Sequence, residues 1–140
     1  MTDQVPDVVP GVAHVVIADD NPDVRDALST LIEDHPHLTV VGVAETGDDA
    51  AELCARHHPE LAVVDVAMPT GGAAAVRAIH AVRPRTIVAA YTAHADRRTR
   101  ARLLEAGAAR VFAKGSPVDL AEELHQLTRP RPLGAADLDA

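Results

Sequence analysis

Short apolar runs alternate with segments of helical spacing along most of this chain. The runs lie at 14–18, 39–44, 61–64, 86–91 and 110–113 and are rich in Val and Ile. Their length suits β-strands. Each is nearly continuous in hydrophobicity instead of alternating, which predicts burial on both faces, as in a parallel sheet. The first helix is predicted to start at Pro22 with Asn21 as its N-cap, since proline suits the first helical position. Val24, Leu28, Leu31 and Ile32 then recur at helical spacing, and His35-Pro36 ends the pattern. Further helices are predicted over about 48–56, about 73–82 with Pro84 beyond it, and about 96–105 with Gly107 as the C-cap. The fifth is expected to open with Ser116 as N-cap, Pro117 first and Asp119 third. Val118, Leu120, Leu124 and Leu127 form its apolar stripe, and Arg129-Pro130 ends it.

Five strand–helix units in strict alternation predict a doubly wound α/β domain of the flavodoxin-like kind. The expected sheet has five parallel strands in the order 2-1-3-4-5, with five helices on both faces. In that order the switch point lies between the first and third strands, where a ligand crevice forms. Residues 1–12 are expected to be a flexible arm, 13–128 the domain, and 129–140 a tail or truncated linker.

Polar residues directly follow four of the five runs. Asp19-Asp20 follows the first, Asp65 the third, Thr92 the fourth, and Lys114 (the single lysine) the fifth. In a parallel sheet all four emerge at one edge. Three carboxylates there repel one another unless a cation is near. A hard divalent ion with oxygen ligands, Mg²⁺ above all, fits that set. Asp65 could attack phosphorus, with Lys114 supplying positive charge and Thr92 a hydrogen bond to a phosphate oxygen.

Composition narrows the function classes. The chain has 140 residues, enough to bury one sizeable core. Its net charge of −8 argues against direct nucleic-acid binding. One cysteine, Cys54, excludes an internal disulfide and suits a reducing cytoplasm. No stretch is apolar enough for a membrane span, and no secretion-signal pattern opens the chain. The eight histidines show neither a His-Glu-x-x-His nor a Cys-His cluster. Arg97, Arg98, Arg100 and Arg102 give the fourth helix a basic edge, read as a solvated face or as a contact surface for an acidic partner.

Four segments carry a family resemblance: Ile17-Ala18-Asp19-Asp20-Asn21-Pro22, Val63-Val64-Asp65-Val66-Ala67-Met68-Pro69, Tyr91-Thr92-Ala93 and Ala113-Lys114-Gly115-Ser116-Pro117. In this order and spacing the chain resembles the receiver domain of two-component response regulators, over about residues 13–128. The resemblance implies that Asp65 is the phosphoacceptor. It implies a Mg²⁺ site from Asp20, Asp65 and the backbone carbonyl of Ala67, with Asp19 supporting it through water. Thr92 and Lys114 match the phosphoryl-sensing positions. The implied partners are a sensor histidine kinase or phosphotransfer protein, an output domain or downstream protein, and a second copy as a homodimer. The implied output surface is the fourth helix, fifth strand and fifth helix. Self-phosphorylation and its reversal are expected, with no turnover of an external metabolite.

The chain departs from the family pattern at Val111, where receivers usually carry an aromatic switch residue. Phe112 is one step later and is expected on the opposite face of the strand. Gly115 stands where proline usually follows the lysine. Two other readings share the fold or the chemistry. One is an interaction module that works without phosphate, mildly favoured by Val111. The other is a haloacid-dehalogenase-like phosphohydrolase, which wants a second Asp where this chain has Ala67.

Overall fold

The computed structural model describes residues 11–68, 71–115 and 119–129. Five strands, β1 (Ala13–Ala18), β2 (Leu38–Ala44), β3 (Leu61–Asp65), β4 (Ile87–Thr92) and β5 (Arg110–Ala113), pair in parallel in the order β2-β1-β3-β4-β5. The helices between and after them are α1 (Pro22–Glu33), α2 (Gly47–His57), α3 (Gly72–Val82), α4 (Arg97–Ala106) and α5 (Leu120–Thr128). This is the architecture expected from the alternation, with ends displaced by a residue or so.

Successive strand side chains point to opposite faces, and the two resulting cores are distinct. Val16, Ala18, Val64, Val88, Ala90 and Val111 pack under α2, α3 and α4. Val15, Ile17, Val63, Ala89, Tyr91 and Phe112 pack under α1 and α5. Val111 and Phe112 therefore do face opposite ways. Both sides of the central strands are covered, which is why β1 and β3 are buried at every position.

Local signals set most helix ends. The Asn21 side chain accepts hydrogen bonds from the Asp23 and Val24 N–H groups, and Pro22 opens α1. Thr46 and Asp96 cap α2 and α4 in the same manner. Gly107 follows α4 with φ of +120°, a backbone state that glycine alone adopts without strain. α5 differs from expectation. Asp119, expected inside the first turn, is its N-cap and accepts a hydrogen bond from the Glu122 N–H. A short side-chain acceptor one residue before Leu120 satisfies the first-turn donors there. The expected start at Ser116, Pro117 and Val118 lies outside the described residues, as do Pro69, Thr70, residues 1–10 and 130–140. Among the described residues no helix is long and apolar enough to cross a membrane.

Candidate functional site

Every sequence-predicted site residue stands at the C-terminal edge of the sheet. Asp19 follows β1 directly, and its N–H extends the ladder to the Ala44 carbonyl. Asp65 and Thr92 are the last residues of β3 and β4, and Lys114 follows β5. The Lys114 N–H donates to the Thr92 carbonyl at 2.8 Å, which ties the β5 exit to β4. Carboxylate oxygens of Asp19, Asp20 and Asp65 lie within 4.8 Å of one another. Lys114 Nζ is 2.9 Å from Asp65 Oδ1.

Burial divides the set. Asp19 is fully buried and Asp65 almost so, whereas Asp20 is exposed. A buried carboxylate must be hydrogen-bonded or paired. Asp19 Oδ1 accepts from the Asn21 N–H at 2.8 Å, and Oδ2 accepts from the Tyr91 hydroxyl. Asp65 Oδ1 accepts from the Ala67 N–H at 3.2 Å in addition to its ion pair. Thr92 Oγ1 accepts from the His94 N–H at 3.0 Å, which leaves its hydroxyl proton free to donate elsewhere. Ala67 is exposed in the turn after β3.

Three carboxylates against one ammonium leave two negative charges to compensate. The Arg25 guanidinium donates to the backbone carbonyl of Asp19 at 2.8 Å, and its charge is matched by the Glu45 carboxylate 3.9 Å away. A donor set made only of oxygens, two units short of positive charge and open to solvent at Asp20, fits a hard divalent cation such as Mg²⁺.

Tyr91 is the residue that sequence reasoning missed. Its ring lies beneath Lys114, with Nζ 4.8 Å from the centroid, while its hydroxyl holds Asp19. It thereby touches the acid of one strand exit and the cation of another. Burial first, then the hydrogen bond to Asp19 and the nearby Asp19, Asp65 and Asp20 charges, raise its pKa far above the usual phenol value. Tyr91 stays a neutral donor. Its adjacency to Thr92 was the available signal, but one polar atom on a core-facing aromatic names no partner.

A sequence model of the response regulator receiver domain matches residues 15–127. The chain belongs to this family. Solved receivers agree. The signal receiver domain of the response regulator NarL from Mycobacterium tuberculosis is 28% identical, over 87% of this chain and 100% of that one, with a TM-score of 0.80. The response regulator domain of CheB from Thermotoga maritima is 25% identical over 86% of this chain and 99% of that one, TM-score 0.76. A LuxR-family two-component response regulator from an Aurantimonas species is 27% identical over 90% and 94%, TM-score 0.76. No curated protein matches the sequence. In this receiver the aromatic at the sheet's acidic edge stands on β4, next to Thr92, and the β5 position that sequence reading flagged is Val111, buried on the other face.

Proposed function

We propose that this receiver is a phosphorylation-controlled switch whose acceptor is Asp65. The observation that carries the reading is the convergence of Asp19, Asp20 and Asp65 within 4.8 Å, with Lys114 paired to the acceptor at 2.9 Å. The donor is a phosphohistidine on a sensor histidine kinase or phosphotransfer protein. An Asp65 oxygen attacks phosphorus, the P–N bond to the donor imidazole breaks, and the imidazole takes up a proton. Asp19, Asp20, Asp65 and the Ala67 carbonyl would hold Mg²⁺. Bound there, the ion offsets charge on the transferring phosphoryl oxygens. Lys114 transfers its ion pair from the carboxylate to a phosphoryl oxygen, and Thr92 turns its free hydroxyl proton toward another. This is a stoichiometric self-modification, and no external metabolite is turned over.

Further calls belong to the same reading. Residues 13–128 form the receiver, 1–12 an arm, and 129–140 a tail or a linker to an output domain. The face built from α4, β5 and α5 carries the signal to that domain, a downstream protein or a second copy, in the cytoplasm, without direct contact to nucleic acid or membrane.

Intact mass after incubation with acetyl phosphate and Mg²⁺ tests the assignment. One phosphoryl adduct on the wild type, absent from Asp65→Asn and from chelated samples, is expected. An adduct that persists in Asp65→Asn overturns the acceptor. No adduct in either, together with no binding of beryllofluoride, favours an interaction module that works without phosphate.

A further inference from the structure

A second cluster of ligating side chains sits at the opposite end of the sheet. α1 runs back from the acidic edge, so His35, just beyond its end, lies near the N-terminal edge of β2. α5 runs the same way and brings Glu122 and His125 alongside. On a helix, residues three apart share a face, so Glu122 and His125 present their side chains together. His35 Nε2 is 2.9 Å from Glu122 Oε1, and His125 Nδ1 is 4.0 Å from the same oxygen. One ligand atom from each of the three lies within 4.8 Å of the others.

We propose that His35, Glu122 and His125 form a zinc-binding site that ties the end of α1 to α5, through Glu122 in its first turn and His125 one turn on. Two imidazoles and one carboxylate are a donor set that zinc takes, with a further position left for water. It is a poor set for Mg²⁺, which demands oxygen ligands. A second observation points to a ligand. His125 Nδ1 is buried and has no hydrogen-bond partner among the described residues. That nitrogen faces the Glu122 carboxylate at 4.0 Å, too far for a hydrogen bond. The His37 ring stacks on His125 at 15° with centroids 4.9 Å apart, which fixes the orientation of that imidazole.

The site has a rearrangement to make. His35 Nδ1 accepts the His37 N–H at 3.1 Å, so the proton sits on Nε2 and points at Glu122. Ligation through Nε2 moves that proton to Nδ1 by way of solvent and gives up two hydrogen bonds, from the His37 N–H and to Glu122, in exchange for three metal–ligand bonds.

Calorimetric titration of the full chain with zinc chloride tests the proposal, alongside the thermal midpoint with and without zinc. With Mg²⁺ in large excess to occupy the acidic edge, one zinc per chain is expected, with a raised midpoint. Glu122→Gln and His125→Gln should each weaken binding by at least about tenfold. Asp65→Asn should bind as the wild type does, which separates this site from the acidic one and from any failure of the phosphorylation reading. Glu122 is half-exposed, so its glutamine variant keeps the fold even if the histidine variant does not, and far-UV circular dichroism checks both. Absence of binding to the wild type overturns the proposal. So does equal affinity in Glu122→Gln, or loss of binding in Asp65→Asn, either of which puts the zinc elsewhere.

Discussion

Tyr91 shows how much one side chain can decide at this site. A fully buried Asp19 carboxylate has two short-range partners, a backbone N–H and this phenol. Removing the hydroxyl while keeping the ring isolates that contribution. Tyr91→Phe is expected to lower stability by about 1.5–3 kcal/mol, the range for a hydrogen bond to a charged group in a buried setting. Urea unfolding measures it, and an unchanged midpoint would mean that Asp19 finds water or another donor. The ring remains beneath Lys114 in that variant, so the Lys114–Asp65 pair should survive. Lys114 and Asp65 themselves could be read from sequence, because an ammonium or carboxylate directly after a buried run has few bland explanations. Tyr91 could not, since its apolar body satisfies the core pattern and hides the polar atom.

Elements were legible to the extent that their signals are local. Proline after asparagine opens α1, and Gly107 closes α4, both as the sequence predicts. Gly107 combines a φ of +120° with the approach of the His80 ring, which a Cβ would strike. Gly107→Ala is expected to destabilise by at least about 1–2 kcal/mol from the left-handed backbone alone, with the His80 collision added. A thermal midpoint equal to the wild type would show that the α4–β5 turn rearranges freely. Thr46→Ala removes a side-chain acceptor for the Asp49 N–H at the start of α2 and should cost about 1 kcal/mol. α5 was less legible. Ser116, Asp119 and the acids after each offer capping chemistry, and sequence alone cannot rank short polar residues that compete for the same orphan donors. The structure puts Asp119 at the cap.

Across the whole molecule, two buried acids of the core set the alkaline behaviour. Burial pushes the Cys54 thiol from 9.0 to about 11, a rise only partly offset by Arg83. Tyr91 is raised as well. Both bind their protons more tightly when folded. The stability this contributes is complete below their unfolded pKa values and is lost as pH rises through the folded ones. Urea midpoints should therefore fall between about pH 9 and about pH 11, and Tyr91→Phe should flatten the upper part of that decline. A flat profile in the wild type would mean that both groups titrate as they do in the unfolded chain.

The fold and the acidic edge were readable in one dimension for a common reason. A continuous apolar run needs two covered faces, strict alternation with helices needs parallel strands, and parallel strands deliver every following polar residue to one edge. Asp19, Asp20, Asp65, Thr92 and Lys114 are thus placed together by topology before any side-chain contact is known. Contacts between residues far apart in the chain carry no such periodic signature. The Tyr91 hydroxyl on Asp19 bridges β4 and β1, and the meeting of His35 with Glu122 and His125 joins the end of α1 to α5. Scanning the histidines for a metal motif misses that cluster, because its ligands are neighbours only after α1 and α5 have packed side by side on one face of the sheet. Packing of the two helices determines which side chains lie within a few ångströms, and that distance, not spacing along the chain, sets what can share a proton or an ion.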